Sequence, residues 1–519
     1  MRQYETFELA FSGTAPEGGE AQVNLDAVFT NQGTKISVKG FYAGNGTYKV
    51  RFYPEAAGLW QWKVSGVVEA SGEEECVAAE GTLPLQNGKW HVGRGIVHAD
   101  GLHFKYADGS SYKPFGTTIY ALVHQEKALI DQTMETLKTA PFNKVRFCAF
   151  PKHYDYNHND PEHFAFEKTD GKWDVHRPCF AYWDALEERI RELDGLGIQG
   201  DLILFHPYDC WGFAELDEEE CMVYLDYLLR RLSAYPNLWW SLANEYDLME
   251  HFELQWWYDF AKFIAENDPY HHLLSNHNCI PYWDFAEEHT THCCIQDTCV
   301  KQVPNLQKKY GKPVVFDECC YEGDLQYPWG NISAREMTER FWTAVTLGGY
   351  CTHGEVFENE DEVLWWAKGG TLKGESPARI AFLRSIVEEL PGNLEFVPGQ
   401  MAAMSYGQLK EMEKNPEMLK NLPVIARGMV KMSESRFEAF IERHSETLGH
   451  CGEEAYLRYF GRECNGRGIM ELPETGNYEV EVIDTWEMTR DRVKSGVNGK
   501  VEVKLPGREG MALLARKIG

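Results

Sequence analysis

Nowhere does the 519-residue chain offer about 18 uninterrupted apolar positions, so no membrane-spanning helix is expected. The N-terminus, Met1-Arg2-Gln3-Tyr4-Glu5, lacks the apolar core of a signal peptide, and the expectation is a cytoplasmic protein with no membrane partner. Positive charge is scarce. Against 80 Asp and Glu stand 51 Lys and Arg, a formal net charge of −29, and Coulomb repulsion then opposes nucleic acid or an anionic membrane surface as partner. The 14 cysteines form no repeated C-x-x-C framework, so buried free thiols are expected in place of zinc sites or disulfides. Internal repeats and low-complexity tracts are missing as well. What the chain has in quantity is aromatic surface, 16 Trp, 26 Tyr and 27 Phe, suited to packing or to stacking on sugar rings.

Its length exceeds one ordinary core, and three regions follow from the patterning. Residues 1–85 read as strands only, with alternation in Gln22 to Phe29 and Lys35 to Tyr42 and a hairpin turn at Asn45-Gly46. They predict a β-sandwich, and the acidic run Glu69 to Glu80 predicts a linker or exposed hairpin. Residues 86–398 alternate between strand and helix. Strands are expected at 114–120, 142–149, 198–205, 238–243, 272–276, 291–296, 313–317 and 349–353, with helices between them and a short fifth one around Tyr282 to Glu288. No Gly-rich dinucleotide or phosphate loop follows the first strand, so the α/β reading is a (β/α)8 TIM barrel over an open doubly wound sheet. Residues 399–519 predict a C-terminal β-domain, its start blurred by the charged, helix-like run Gln408 to Leu419.

Two strand ends carry the chemistry. The apolar run Leu238 to Ala243 stops abruptly in Asn244-Glu245, and Pro313 to Phe316 delivers Asp317-Glu318. Parallel barrel strands open onto one rim, so Glu245 and Glu318 can face each other across it. Facing carboxyls are the minimum equipment for glycosidic cleavage, one to protonate the leaving oxygen and one to attack or stabilise the anomeric carbon. Arg146 on the second strand, His206 after the third and His277 after the fifth sit where they can serve the acids or substrate hydroxyls, or act as structural groups. Trp365, Trp366 and Lys368 suit a sugar platform with a polar clamp, unless a tryptophan packs beneath the loop.

On these residues the chain resembles the clan A retaining glycoside hydrolases, barrels related to glycoside hydrolase family 5. The stretches Phe316-Asp317-Glu318 with Tyr321-Glu322-Gly323, Thr352-His353-Gly354-Glu355, and Leu364 to Gly370 running into Ser376 to Ile380 are similar to the apiosidase-like bacterial group. The segment Gly46 to Pro54 followed by Gly58-Leu59-Trp60 resembles the immunoglobulin-like module ahead of many bacterial glycosidase barrels. The resemblance implies Glu245 as a proton-bearing acid/base, Glu318 as nucleophile, Asn244 as donor to the hydroxyl beside the anomeric carbon, and Arg146 as the cation that keeps Glu318 ionised. It departs from the clan at Tyr246, where many members carry Pro, and at strand six, where the nucleophile's aromatic partner is not evident and His277 is the candidate substitute. Glu322 and Glu355 also fall on the rim, which leaves the nucleophile's position open by a few residues.

The function expected is therefore a retaining glycosidase acting on small glycosides or oligosaccharides, exo-acting, with a carbohydrate as partner and no metal or organic cofactor. A homo-oligomer is compatible with the sequence. Two alternatives stand beside it: a metal-dependent barrel hydrolase using His206, His272 and Asp297, and a non-catalytic carbohydrate-binding protein.

Overall fold

A computed structural model describes residues 1–79, 93–358, 363–399 and 405–518, and the expected domain boundary at residue 85 lies outside them. The chain forms two compact units. One comprises Met1–Thr298, Tyr310–Ala334 and Cys351–Pro377; the other comprises Cys299–Lys309, Arg335–Tyr350 and Ala378–Gly519.

The first unit begins with two antiparallel sheets. One orders Phe7–Ser12, Thr47–Phe52 and Phe41–Tyr42, and the other orders Thr34–Lys39, Leu25–Asn31, Gly58–Gly66 and Ala70–Cys76. Their alternating positions bury Phe29 against Phe52, rings stacked 4.0 Å apart, with Trp60 edge-on at 4.8 Å. The Asn45-Gly46 turn forms as expected, both residues at positive φ (50° and 71°); a Cβ on Gly46 would stand 2.7 Å from the Gly13 carbonyl. The acidic run is a strand of the exposed hairpin Gly58–Gly66/Ala70–Cys76.

These sheets rest on barrel helices. Arg51 Nη1 and Nη2 donate to Glu187 at 2.6 and 2.8 Å, and Arg231 Nε donates to the same carboxylate at 2.6 Å. All three groups are buried, and the two guanidiniums push Glu187 down to about 2. The module is thus bolted to the helices Phe180–Gly195 and Glu218–Leu232 by a desolvated ion triad.

The barrel strands, in chain order, are Phe115–Thr118, Lys144–Cys148, Gln199–Phe205, Leu238–Ala243, Leu274–Ser275, Cys293–Gln296, Val314–Glu318 and Tyr350–His353. Seven parallel pairings join them in a ring order, and a parallel bridge between His277 and Cys294 closes the gap between the fifth and sixth. Near-continuous burial along these strands is what a parallel sheet covered on both faces demands. Helices fall between strands in the chain as the periodicity predicts, except after the fifth strand. There Asp284 and Glu287 accept hydrogen bonds from the backbone N–H groups of Ala286, His289 and Thr290, an arrangement that competes with helix, and the segment turns without one.

The second unit holds the six-stranded antiparallel sheet that ends in Met511–Lys517, with Tyr478, Val480 and Leu513 at its core. The start of the expected β region 399–519 is helical beyond the run Gln408 to Leu419 as well. Four short helices, Tyr406–Glu413, Pro416–Asn421, Val424–Met429 and Glu434–His444, precede the first long strand. A capping box at Ser405 and Gln408 starts the series, and Leu409, Met429, Val430 and Phe437 supply its own small core.

Candidate active site

Beneath the rim the barrel interior is ionic. Lys144 Nζ lies 2.7 Å from Asp201 and 2.5 Å from Asp317, and Thr352 donates to Asp317 at 2.6 Å. Arg146 belongs to this layer, its Nη1 2.9 Å from Ser241 Oγ and 3.4 Å from Asp201. Arg146, expected either to keep Glu318 ionised or to serve as a structural group, is fully buried and bound to the third and fourth strands. The nearby cations hold Asp317 far below the usual carboxylate range, which makes it a fixed charge of the core.

Above that layer the two expected acids emerge. Glu318 closes the seventh strand and Glu245 follows the fourth, 8% and 6% exposed. Glu245 takes φ 59° and ψ 59°, left-handed backbone that a non-glycine residue adopts only under constraint from its surroundings. The constraint is visible: Tyr246 N–H donates to the His277 carbonyl at 2.9 Å, and Glu245 N–H donates to His277 Nδ1 at 3.4 Å. Accepting at Nδ1 leaves the His277 proton on Nε2, which stands 3.9 Å from Glu318 Oε1. Burial and the cations Arg146 and Lys152 keep this imidazole neutral, its pKa well below the ordinary value.

Each acid has a tyrosine. Tyr208 donates to Glu245 Oε2, and Tyr120 is hydrogen-bonded to Glu318 Oε1 while its oxygen lies 2.8 Å from Asn244 Oδ1. A phenol has one proton for two acceptors. With Glu318 ionised, the Asn244 amide must turn its NH2 to the tyrosine oxygen; with Glu318 protonated, the carboxyl donates to Tyr120 and Tyr120 donates on to Asn244. Burial and the facing Glu245 carboxylate push Glu318 up to about 7, against the opposing pull of Lys152 and the tyrosines Tyr120 and Tyr321. The charge of Glu245 thus bears on Glu318, which joins the two acids electrostatically.

The other expected residues divide. Trp366 joins Tyr120, Tyr154, Tyr321 and Trp329 in an aromatic wall. Trp365 does not: it is buried and donates from Nε1 to Thr117 Oγ1 at 2.8 Å, packing under the loop where an exposed sugar platform was expected. Lys368 ends the same helical turn, half-buried. His206 is buried, its Nε2 3.1 Å from the Phe150 carbonyl, and desolvation pushes it down to about 3. Glu322 and Glu355, the other rim carboxylates, are engaged by backbone. The first accepts from the N–H groups of Glu375 and Ser376, the second from those of Lys373 and Gly374, so together they clamp the start of the helix Ser376–Glu388.

A metal triad of His206, His272 and Asp297 is not assembled. His272 precedes the fifth strand and binds Asp268 at 2.7 Å, while Asp297 follows the sixth and accepts from Tyr282. Among the described residues the group able to hold an ion is Glu322, His353 and Glu355, whose carboxylate oxygens are already engaged as above. Sequence reasoning missed Tyr120, Lys152 and Tyr208. The aromatic partners of Glu318 come from beyond the first strand (Tyr120) and from Tyr321. Their one signal in the sequence is position, each within a few residues of a strand's C-terminal end.

Residues 98–386 match the family described as apiosidase-like, catalytic domain. Residues 1–66 and 444–516 match two domains of unknown function, DUF5060 and DUF5605. A candidate glycoside hydrolase from Bacteroides vulgatus ATCC 8482, seen in a crystal structure, is 32% identical over 100% of this chain and 99% of its own, with a TM-score of 0.84. A glycoside hydrolase family 5 protein from the same organism shares the fold, at 15% identity over 84% of this chain and 95% of its own and a TM-score of 0.58. No curated protein matches the chain.

Proposed function

Because the chain belongs to the apiosidase-like family and is a glycosidase, we propose that it cleaves small glycosides by double displacement, with Glu318 as nucleophile and Glu245 as acid/base. The observation that carries this reading is the delivery of two nine-tenths-buried carboxyls to one rim by the fourth and seventh strands, each hydrogen-bonded to a tyrosine. In the first step Glu318 forms a bond to the anomeric carbon as the glycosidic bond breaks, and Glu245 gives its proton to the departing oxygen. Water then attacks the anomeric carbon, Glu245 takes its proton, and the Glu318 ester bond breaks.

The pair's single proton must lie on Glu245 when substrate is bound. Two features of a bound glycoside favour that placement: the leaving oxygen offers Glu245 a partner, and positive charge growing at the anomeric carbon favours Glu318 ionised. Asn244, beside Tyr120, is the donor we assign to the neighbouring hydroxyl. The depth of both acids behind the wall of Trp366, Tyr154 and Tyr321 suits a terminal sugar, hence exo-action. No helix among the described residues is long and apolar enough to cross a membrane, and we keep a cytoplasmic site of action as part of the proposal.

A panel of nitrophenyl glycosides of both anomeric types tests this reading. At least one should be turned over by the wild type and not by Glu318→Gln; silence across the panel, or undiminished turnover by the variant, counts against it.

A further inference from the structure

Lys152 lies just beyond the second strand and is 2% exposed, a depth at which lysine is normally found only with a counter-ion. It has no ion-pair partner among the described residues. Its ammonium stands instead 3.5 Å from the centre of the Tyr120 ring and 4.2 Å from that of Tyr208, with the Tyr154 ring at 5.1 Å. Tyr120 and Tyr208 are the two phenols bonded to the two acids. The backbone around it is pinned to the same constellation: the Lys152 carbonyl accepts from Asn157 at 2.6 Å, and His153 N–H donates to the Tyr208 carbonyl at 2.9 Å.

We propose that Lys152 is a positioning residue that sets the charge of the site: held on the faces of the two tyrosines, its ammonium confines the Glu245–Glu318 pair to one proton. The inference rests on those two acids being the working pair. In double displacement the pair carries one net negative charge at rest, with one carboxyl ionised. It carries one in the glycosyl-enzyme too, where Glu318 is an ester and Glu245 is ionised. A single fixed cation matches that constant charge through the cycle, and the cation–π contacts keep it central without binding it to either acid.

Among the described residues that face Lys152, one other cation stands near it, Arg146. Arg146 and Cys148 face Lys152 from the second strand, Tyr154 from its own loop, His206 from the third strand, His277 from the fifth and Trp366 from beyond the eighth. Arg146 is bound to Asp201, both imidazoles are neutral, and burial pushes the Cys148 thiol up to about 12. The carboxylate charges that bear on Lys152 are those of Glu245 and Glu318, with the charge of Arg146 opposing them more weakly. Burial draws the lysine below its ordinary pKa, and both acids pull it back up.

The test is an infrared titration of the protonated carboxyl band in the whole protein, with Glu245→Gln and Glu318→Gln assigning the band. In Lys152→Met the midpoint for proton loss from the pair should rise by about one pH unit or more, because an opposite charge nearby has been removed. Lys152→Arg should stay within a few tenths of wild type. Both limbs of the kcat/KM profile should move with the midpoint in Lys152→Met, with KM little changed. A midpoint unmoved in Lys152→Met, or moved equally in Lys152→Arg, overturns the proposal. Melting curves check the fold, and Lys152→Gln, which keeps a polar end, replaces Lys152→Met if that variant does not fold. The infrared midpoint needs no substrate, so an inactive wild type would refute the assignment of the acids without deciding the role of Lys152.

Discussion

The hydroxyl of Tyr120 is bonded to Glu318, so the group expected to attack the sugar is held by a phenol from beyond the first strand. That bond favours the ionised carboxylate and opposes the burial that pushes Glu318 up to about 7. The nucleophile must be ionised to react, so kcat/KM should fall as pH drops below about 7. Tyr120→Phe removes the bond, and the acidic limb should move to higher pH. Turnover at the optimum should fall about 10- to 100-fold, the loss of a hydrogen bond to a charged group. A pH–rate profile of the two proteins checks both statements.

The ion triad of Arg51, Glu187 and Arg231 makes the N-terminal module part of the barrel's stability. Glu187 is held at about 2 in the folded protein, below its ordinary value of 4.5. A depressed carboxylate stabilises above its unfolded pKa and loses that contribution as pH falls through the folded one. Wild-type Tm should therefore drop as pH is lowered from about 4.5 toward 2. Arg51→Met leaves Glu187 with a lost partner and should cost about 3–5 kcal/mol at neutral pH, read by denaturant unfolding, with a shallower acid dependence.

Glu355 tests the distinction between rim carboxylates. Its side chain accepts from two backbone N–H groups of the turn before Ser376, and Glu355→Ala takes the carboxylate away from both part-buried donors. Unfolding measurements should show a loss of about 2–4 kcal/mol, while the folded fraction keeps turning over substrate and gains nothing from azide. Burial pushes Glu355 up to about 7, so its folded form favours the proton. Its contribution is full below pH 4.5 and fades as pH rises through about 7.

Most of the architecture was legible because it is written in short-range periodicity. Seven of the eight barrel strands fall inside the expected ranges and the seventh strand overruns its range by one residue, at Glu318; the abrupt endings at Glu245 and Glu318 place both acids on the rim. What escaped depends on where chains meet. Arg146 reads from its strand as a rim arginine, but Asp201 and Ser241 on neighbouring strands hold it in the core. Trp365 and Trp366 are adjacent in sequence, yet one hydrogen-bonds Thr117 beneath the loop while the other faces Tyr120 and Tyr154. Tyr120 and Tyr208 gain meaning only once the ring brings the first, third, fourth and seventh strands together. Of the helices of 406–444 the run Gln408 to Leu419 showed in the sequence, while Val424–Met429 and Glu434–His444, six and eleven residues long, were too brief for a 3.6-residue period to stand out.

The pairing of Glu245 and Glu318 is tested most directly by azide rescue of the two alanine variants on an activated aryl glycoside. The account predicts that azide restores turnover to Glu318→Ala and gives a glycosyl azide of inverted configuration, while Glu245→Ala gives one of retained configuration and is slow mainly on poor leaving groups. Equal loss in both variants with no rescue would contradict it, and exchanged products would reverse the two roles.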